Sequence, residues 1–124
     1  MRNDDIAEAL FDAFEAGDAD AARALCSKSR TASRNGGPAM DLESLLAFST
    51  LVKRVIPDFH YENARRAITG DGFVEEHDVC GTLPDGSDLR VAACIVAEVR
   101  DGKVSDVREY IDTVAAAGLA DALP

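Results

Sequence analysis

Residues 59–112 carry the stretch that decides the fold, FHYENARRAITGDGFVEEHDVCGTLPDGSDLRVAACIVAEVRDGKVSDVREYID. Three short turn motifs divide it: Gly70-Asp71-Gly72, Pro84-Asp85-Gly86-Ser87 and Asp101-Gly102. Glycine and aspartate readily adopt the positive φ angles of tight hairpin turns, and proline presets φ at the start of one of them. The runs between the turns are long and rich in Val, Ile, Phe, Thr and Tyr, which favour strands. The stretch therefore predicts four long strands in an antiparallel meander.

The first half of the chain has the periodicity of helices. Asn3 is a suitable N-cap for a first helix, along which Ile6, Leu10 and Phe14 form an apolar stripe. Gly17 is expected to end this helix, because glycine is the usual residue just after a helix C-terminus.

Two further helices are predicted before the meander. Asp18 is expected to cap a short one and Asp41 a longer one, which must end before Pro57 because proline has no amide hydrogen to donate. Helices followed by a meander predict an α+β fold, in which the helices cover one face of a curved sheet. With 124 residues, the chain is expected to form a single domain over residues 1–124.

Composition and charge disfavour several partners. The net charge of −10 argues against nucleic acids and anionic membrane surfaces. No apolar run approaches the roughly 20 residues of a membrane span, and residues 1–5 lack an apolar signal core, so a cytoplasmic location is expected. Cys26, Cys80 and Cys94 are odd in number and widely spaced, which predicts buried thiols rather than disulfides or zinc ligands.

One segment, Ser27 to Pro38, interrupts the pattern with three cations in an otherwise acidic protein: Lys28, Arg30 and Arg34. One interpretation is a mobile lip whose cations meet an anionic group of a ligand. The other is a solvated, partly disordered loop, as its polar composition suggests.

Several motifs resemble the SnoaL-like branch of the nuclear transport factor 2-like superfamily. They are Glu15-Ala16-Gly17-Asp18, Pro57-Asp58-Phe59, Phe73 to Thr82 with the Pro-Asp-Gly turn that follows, and Arg100 to Val104 with Val107 to Asp112. The resemblance covers nearly the whole chain and is weak across Ser27 to Pro38. It implies a cone-shaped α+β fold whose strongly bent sheet encloses a deep pocket. The superfamily includes polyketide cyclases, epoxide hydrolases, ketosteroid isomerases, dehydratases and inert binding modules, so the fold alone does not decide the activity.

Residue patterns within that superfamily distinguish these activities. The ketosteroid isomerase pattern is not met, since its tyrosine position falls near Leu10 and its mid-strand acid falls in Cys94 to Ala97. The limonene epoxide hydrolase pattern resembles the chain more closely and puts its two acids at Asp78 and Glu109, one a base toward water and the other an acid toward the epoxide oxygen. In that family an arginine positions both acids; the corresponding residue here is Glu76, which reverses the charge. The resemblance therefore implies that Asp78 and Glu109 transfer protons.

Side chains alternate along a strand, which divides Val74 to Cys80 into two faces but does not tell which face lines the pocket. Val74, Glu76, Asp78 and Cys80 share one face, and the other holds Glu75, His77 and Val79. The resemblance selects the face of Glu76 and Asp78 as the pocket side. His77 would then face a dimer interface, unless a β-bulge turns it inward.

If Glu76, Asp78 and Glu109 are enclosed together, repulsion between their charges would raise the pKa of at least one carboxyl group. Asp78 and Glu109 would then titrate as a coupled pair. The alternative is that these acids are solvated or form ion pairs with nearby arginines: Arg65, Arg66, Arg90 or Arg108. No metal is expected, because neighbouring strand residues point to opposite faces and no second histidine completes a ligand set.

The sequence thus predicts a small-molecule-binding protein that acts by acid/base catalysis without a cofactor. The expected reaction is cyclisation, isomerisation or epoxide/water chemistry on an apolar polyketide- or terpenoid-like substrate. Glu76, Tyr61, Phe14 and Phe48 are expected to contact that substrate. A homodimer through the outer sheet face is expected, since that face carries exposed apolar positions. The alternative is a non-catalytic ligand-binding or dimerisation module.

Overall fold

The computed structural model describes residues 1–124 and contains four helices and six strands. In chain order these are α1 (Asn3–Ala16), α2 (Ala19–Leu25), β1 (Cys26–Arg34), β2 (Met40–Asp41), α3 (Leu42–Val55), β3 (His60–Ile68), β4 (Gly72–Thr82), β5 (Asp88–Arg100), β6 (Lys103–Ile111) and α4 (Ala117–Ala122).

All six strands join in one sheet of order β2-β1-β6-β5-β4-β3. The last four strands form the predicted antiparallel meander, and β4 pairs with β5 in unbroken register from Gly72↔Glu98 to Thr82↔Asp88. The α+β class and the helix-covered, curved sheet are confirmed. No helix is both long and apolar enough to cross a membrane.

The basic segment is a strand, so the prediction of a loop or mobile lip across Ser27 to Pro38 is wrong for most of its length. Residues Cys26–Arg34 form β1, which pairs in parallel with β6 and in antiparallel with β2. Residues 35–39 lie outside the strands, and they begin with a turn at Asn35 and Gly36, whose φ angles are 51° and 72°. The strand is held by backbone hydrogen bonds to a segment about 75 residues away in sequence, and local composition carries no signal for such pairing.

The helix boundaries follow their capping residues with one exception. Gly17 ends α1 at φ 69°, while the side chains of Asp18 and Asp41 accept hydrogen bonds from the amides of Ala21 and Ser44. Asn3 is not the N-cap: it is the first helical residue, and the cap position belongs to Arg2.

The hydrophobic core lies between the helices and the concave face of the sheet. Its most buried members come from α1, α3 and the meander: Ile6, Leu10, Leu46, Phe73, Ile95 and Val104. Burying each such side chain contributes roughly 1.5–3 kcal/mol. The three cysteines are unpaired; Cys26 and Cys80 are buried, as predicted, whereas Cys94 is half-buried. Burial raises the pKa of the Cys80 thiol to about 11 and also raises that of Cys26.

Candidate functional site

A cavity of about 390 Å³ opens between the concave face of the sheet and the helices α1, α3 and α4. Nineteen of its 26 lining residues are hydrophobic, so it suits a small molecule that is largely apolar. Phe14, Phe48 and Tyr61, the aromatic residues predicted to contact a substrate, all line it. Helix α4, which the sequence did not indicate, covers one side with Leu119 and Ala120.

Asp78 and Glu76 do not line the cavity, so the expected orientation of β4 is wrong. Asp78 accepts hydrogen bonds from Arg90 at 3.0 Å and from Asn63 at 2.9 Å on the outer face, and Glu76 is exposed. Regular alternation instead turns Glu75 and His77 inward. This orientation buries Phe73 against Phe11 of α1, and the inward-facing Glu75 is compensated by Arg66.

Glu109 does line the cavity, but its partner is a cation. Arg34 Nε donates to Glu109 Oε1 at 2.7 Å, and the Arg34 guanidinium also lies 5.2 Å from the centre of the Phe48 ring. The Arg34 side chain is 48% exposed, which places this ion pair at the cavity mouth. Asp78 lies on the opposite face of the sheet, two strands away, so the predicted coupled pair of Asp78 and Glu109 does not form.

At the wall of the cavity, the lining residue His77 forms a buried hydrogen-bonded pair with Glu75, which is not itself a lining residue. His77 Nδ1 lies 2.6 Å from Glu75 Oε2, and the two residues are 4% and 1% exposed. An ionised carboxylate only accepts hydrogen bonds, so Nδ1 is the donor of this pair and Nε2 is left without a protein partner. A continuous strand places them two residues apart on one face, without the bulge considered for His77, and not at a dimer interface.

The Glu75 carboxylate is compensated from outside the cavity. Arg66 donates to Glu75 Oε1 through Nε at 2.9 Å and through a second nitrogen at 2.8 Å, and its remaining nitrogen lies 2.9 Å from Asp4 of α1. Two charged donors on one carboxylate oxygen, with His77 on the other, hold the carboxylate in one orientation. The network therefore runs from an exposed acid, through Arg66 and Glu75, to the imidazole in the cavity.

Aromatic rings enclose the imidazole. Tyr61 stacks on His77 with the ring centroids 4.1 Å apart, and Phe11 meets it edge-on at 5.2 Å. Burial, followed by the negative charge of Glu109, raises the pKa of the Tyr61 phenol, which therefore stays protonated near neutral pH. The packing allows the imidazole ring little rotation.

Arg30, which the sequence analysis grouped with Lys28 and Arg34 in a mobile lip or solvated loop, is a second polar group at the cavity. It projects from β1 into the cavity lining, is only 1% exposed, and none of its side-chain nitrogens has a hydrogen-bond partner. Desolvation lowers its pKa. It lies at the end of a shift in register after Cys26, directly before Thr31 to Arg34, which pair in parallel with β6.

On the outer face, His60, Glu62 and Cys80 bring three potential metal-ligand atoms within 4.8 Å of one another. Arg90 donates to Glu62 Oε2 at 3.3 Å, and His60 Nε2 lies 2.8 Å from the same oxygen. A guanidinium beside the carboxylate opposes a cation there, so the cluster is a weak candidate for a metal centre.

A bent, largely antiparallel sheet around a cavity, closed by helices, defines the cone-shaped nuclear transport factor 2-like class of protein. Within that class, residues 7–107 match the model of the SnoaL-like domain, and the chain belongs to that family. No curated protein sequence matches it.

Solved structures share this fold at low sequence identity. IdmH from Streptomyces antibioticus, assigned as a polyketide cyclase, is 22% identical with a TM-score of 0.83, covering 97% of this chain and 99% of that one. A protein from Jannaschia sp. CCS1, assigned as a SnoaL-like polyketide cyclase, is 21% identical with a TM-score of 0.79, covering 98% and 93%. A protein with a ketosteroid isomerase-like fold from Catenulispora acidiphila, crystallised with trimethylamine, is 18% identical with a TM-score of 0.77, covering 96% and 93%.

Proposed function

We propose that this SnoaL-like protein catalyses proton transfer on a small apolar substrate, with His77 as the acid/base group. The observation that carries the proposal is the 2.6 Å hydrogen bond between His77 Nδ1 and the buried Glu75, at the wall of a largely apolar cavity. A carboxylate that holds one imidazole nitrogen protonated leaves the other nitrogen free to act as a base.

The chemistry follows from the two states of His77. Nε2 removes a proton from a carbon beside a carbonyl group of the substrate, and Glu75 stabilises the imidazolium that results. The substrate carbanion is then an enolate. If the imidazolium returns the proton to a different atom, the reaction is an isomerisation. If the enolate carbon first attacks a second carbonyl group, a new carbon–carbon bond closes a ring and the imidazolium protonates the alkoxide.

Two of the neighbouring structures are assigned as polyketide cyclases, which supports a substrate of the polyketide type for this chain as well. Polyketides carry several carbonyl groups on one apolar skeleton, as the ring-closing reaction requires. Glu109 would have a different role from the one that the resemblance implied. Since Arg34 neutralises it at the mouth, it is better suited to orienting the substrate than to removing a proton.

The proton-abstraction step can be tested before the substrate is known, with 5-nitrobenzisoxazole as the probe. When a base removes the one C–H proton of its isoxazole ring, the N–O bond breaks and the ring opens to a coloured cyanonitrophenolate. We expect saturable turnover by the wild type, and a fall in kcat/KM of about 10²-fold or more in His77→Gln. Asp78→Asn, one residue away on the outer face, is the matched control and should keep full activity.

Equal losses in both variants, or none in His77→Gln, would remove the assignment of His77. A wild type that binds the neutral fluorophore N-phenyl-1-naphthylamine but does not turn over the probe would instead favour the alternative, a ligand-binding module without catalysis.

A further inference from the structure

The cavity contains a buried cation that no group of the protein neutralises. Arg30 is 1% exposed, and its Nε and both terminal nitrogens lack hydrogen-bond partners. An isolated charge in apolar surroundings is strongly unfavourable, and arginine does not escape the penalty by losing its proton. A folded protein therefore keeps such a group only at a cost in stability.

The other charges around the cavity do not compensate Arg30. Arg34 and Glu109 are already paired with each other at the mouth. Asp106, the carboxylate whose charge acts on Arg30, alternates with the cavity-lining Val107 and so lies on the other face of β6. Its oxygens accept hydrogen bonds from Thr31 and Arg108 there.

We propose that Arg30 binds a carboxylate group of the substrate, which makes the substrate an apolar carboxylic acid. The inference rests on the proposed function in one respect, that this cavity is the substrate site. A guanidinium presents two parallel N–H donors that match the two oxygens of a carboxylate. One cation neutralises one negative charge, so a singly charged acid is favoured over a phosphate dianion, whose second charge would stay buried.

The positions of Arg30 and His77 also limit where the carboxylate sits on the substrate. Arg30 belongs to β1 and His77 to β4, with β6 and β5 between them. Three strand spacings along the sheet amount to roughly 14 Å. The acid group therefore anchors one end of the skeleton while the reacting carbon lies several bonds away, near the imidazole.

Binding of 2-naphthoate and of the uncharged 2-naphthylmethanol, measured by calorimetry, tests the proposal on the wild type alone. We expect naphthoate to bind about tenfold more tightly or better, the effect of a charge-assisted hydrogen bond. Arg30→Met should bind both compounds equally, and Arg30→Lys should restore part of the preference. Lys28→Met is the control, because it removes the same charge from an exposed position on the same strand.

Equal binding of acid and alcohol by the wild type would overturn the proposal, and so would an acid preference that survives in Arg30→Met. Tighter binding of 2-naphthyl phosphate than of 2-naphthoate would replace the carboxylate with a phosphate ester. Arg30→Met should also unfold at a higher temperature than the wild type, since it removes an uncompensated buried charge, and this confirms that lost binding is not lost folding.

The two proposals fail separately. If the wild type prefers 2-naphthoate but does not turn over 5-nitrobenzisoxazole, only the catalytic role of His77 is contradicted. If it turns over the probe but does not prefer 2-naphthoate, only the role of Arg30 is contradicted.

Discussion

A histidine in an apolar cavity moves a proton efficiently only if the charge it gains is compensated nearby. Glu75 supplies that compensation through a direct hydrogen bond to His77, and Arg66 holds the Glu75 carboxylate in place from the other side. Because Glu75 is 1% exposed, water does not weaken this interaction. Glu75 is therefore a positioning residue, which acts on the substrate only through the imidazole.

This role predicts a specific defect in Glu75→Gln. The neutral amide keeps the shape of the side chain but does not stabilise the imidazolium, so kcat for 5-nitrobenzisoxazole should fall about 10²-fold while KM stays the same. Nitrogen-15 NMR of the His77 ring should show the proton on Nδ1 in the wild type and a changed tautomer mixture in the variant. Glu76→Gln, the exposed neighbour on the other face, should match the wild type in both measurements. A raised KM with unchanged kcat would point to a role in binding instead.

At the scale of the elements, β1 shapes the cavity more than any other strand. Because β1 pairs in parallel with β6, Arg34 lies beside Glu109 and forms an ion pair with it. Arg30 lies on the same face of β1 and therefore also points into the cavity. Asn35 then fixes the turn, because its amide side chain donates to the carbonyl of Ile111 and its oxygen accepts from the Ile111 amide. One side of the cavity and its mouth thus depend on a pairing between distant parts of the chain.

The turn between β3 and β4 offers a test of how tightly the meander packs. A Cβ atom at Gly72 would overlap the carbonyl oxygen of Ala97 on β5, whereas one at Gly70 would meet nothing. We expect Gly72→Ala to lower the free energy of unfolding by about 1–3 kcal/mol, since two paired backbones must separate. Gly70→Ala, in the same turn, should be close to neutral. Denaturant titration compares the two, and equal stabilities would contradict the close approach of β4 and β5.

At the scale of the whole molecule, the outer face of the meander is the surface without helices over it. Charged groups such as Asp78 and Arg90 alternate there with apolar ones, among them Val96 and the 46% exposed Tyr110. We propose that two copies of the chain associate through this face, as its exposed apolar side chains favour.

Sedimentation at micromolar concentration should then give about twice the 13.2 kDa of one chain. Tyr110→Lys puts a charge into the proposed interface and should return the mass to that of a monomer. Val114→Lys is the control, because Val114 is 85% exposed but lies beyond the end of β6. A wild type that sediments as a monomer would remove the proposal.

Much of this protein follows from local sequence. The turn motifs such as Pro84 to Ser87 mark the hairpins, Gly17, Asp18 and Asp41 mark helix ends, and the motifs along the chain identify the SnoaL-like family. These features are predictable because each depends on the φ angles and hydrogen bonds of a few neighbouring residues. The aromatic residues of the cavity were also predictable from the sequence, since Phe14, Phe48 and Tyr61 are large apolar groups that a fold of this class turns inward.

The chemistry of the site depended on tertiary structure. Alternation along β4 separates Glu75 and His77 from Glu76 and Asp78, but both sets mix apolar and charged residues, so only packing against α1 decides which set is buried. The buried Glu75 carboxylate is stabilised by an ion pair with Arg66 from the neighbouring strand. Arg30 is buried because β1 pairs with a strand far along the chain, and no local pattern encodes a contact over that distance.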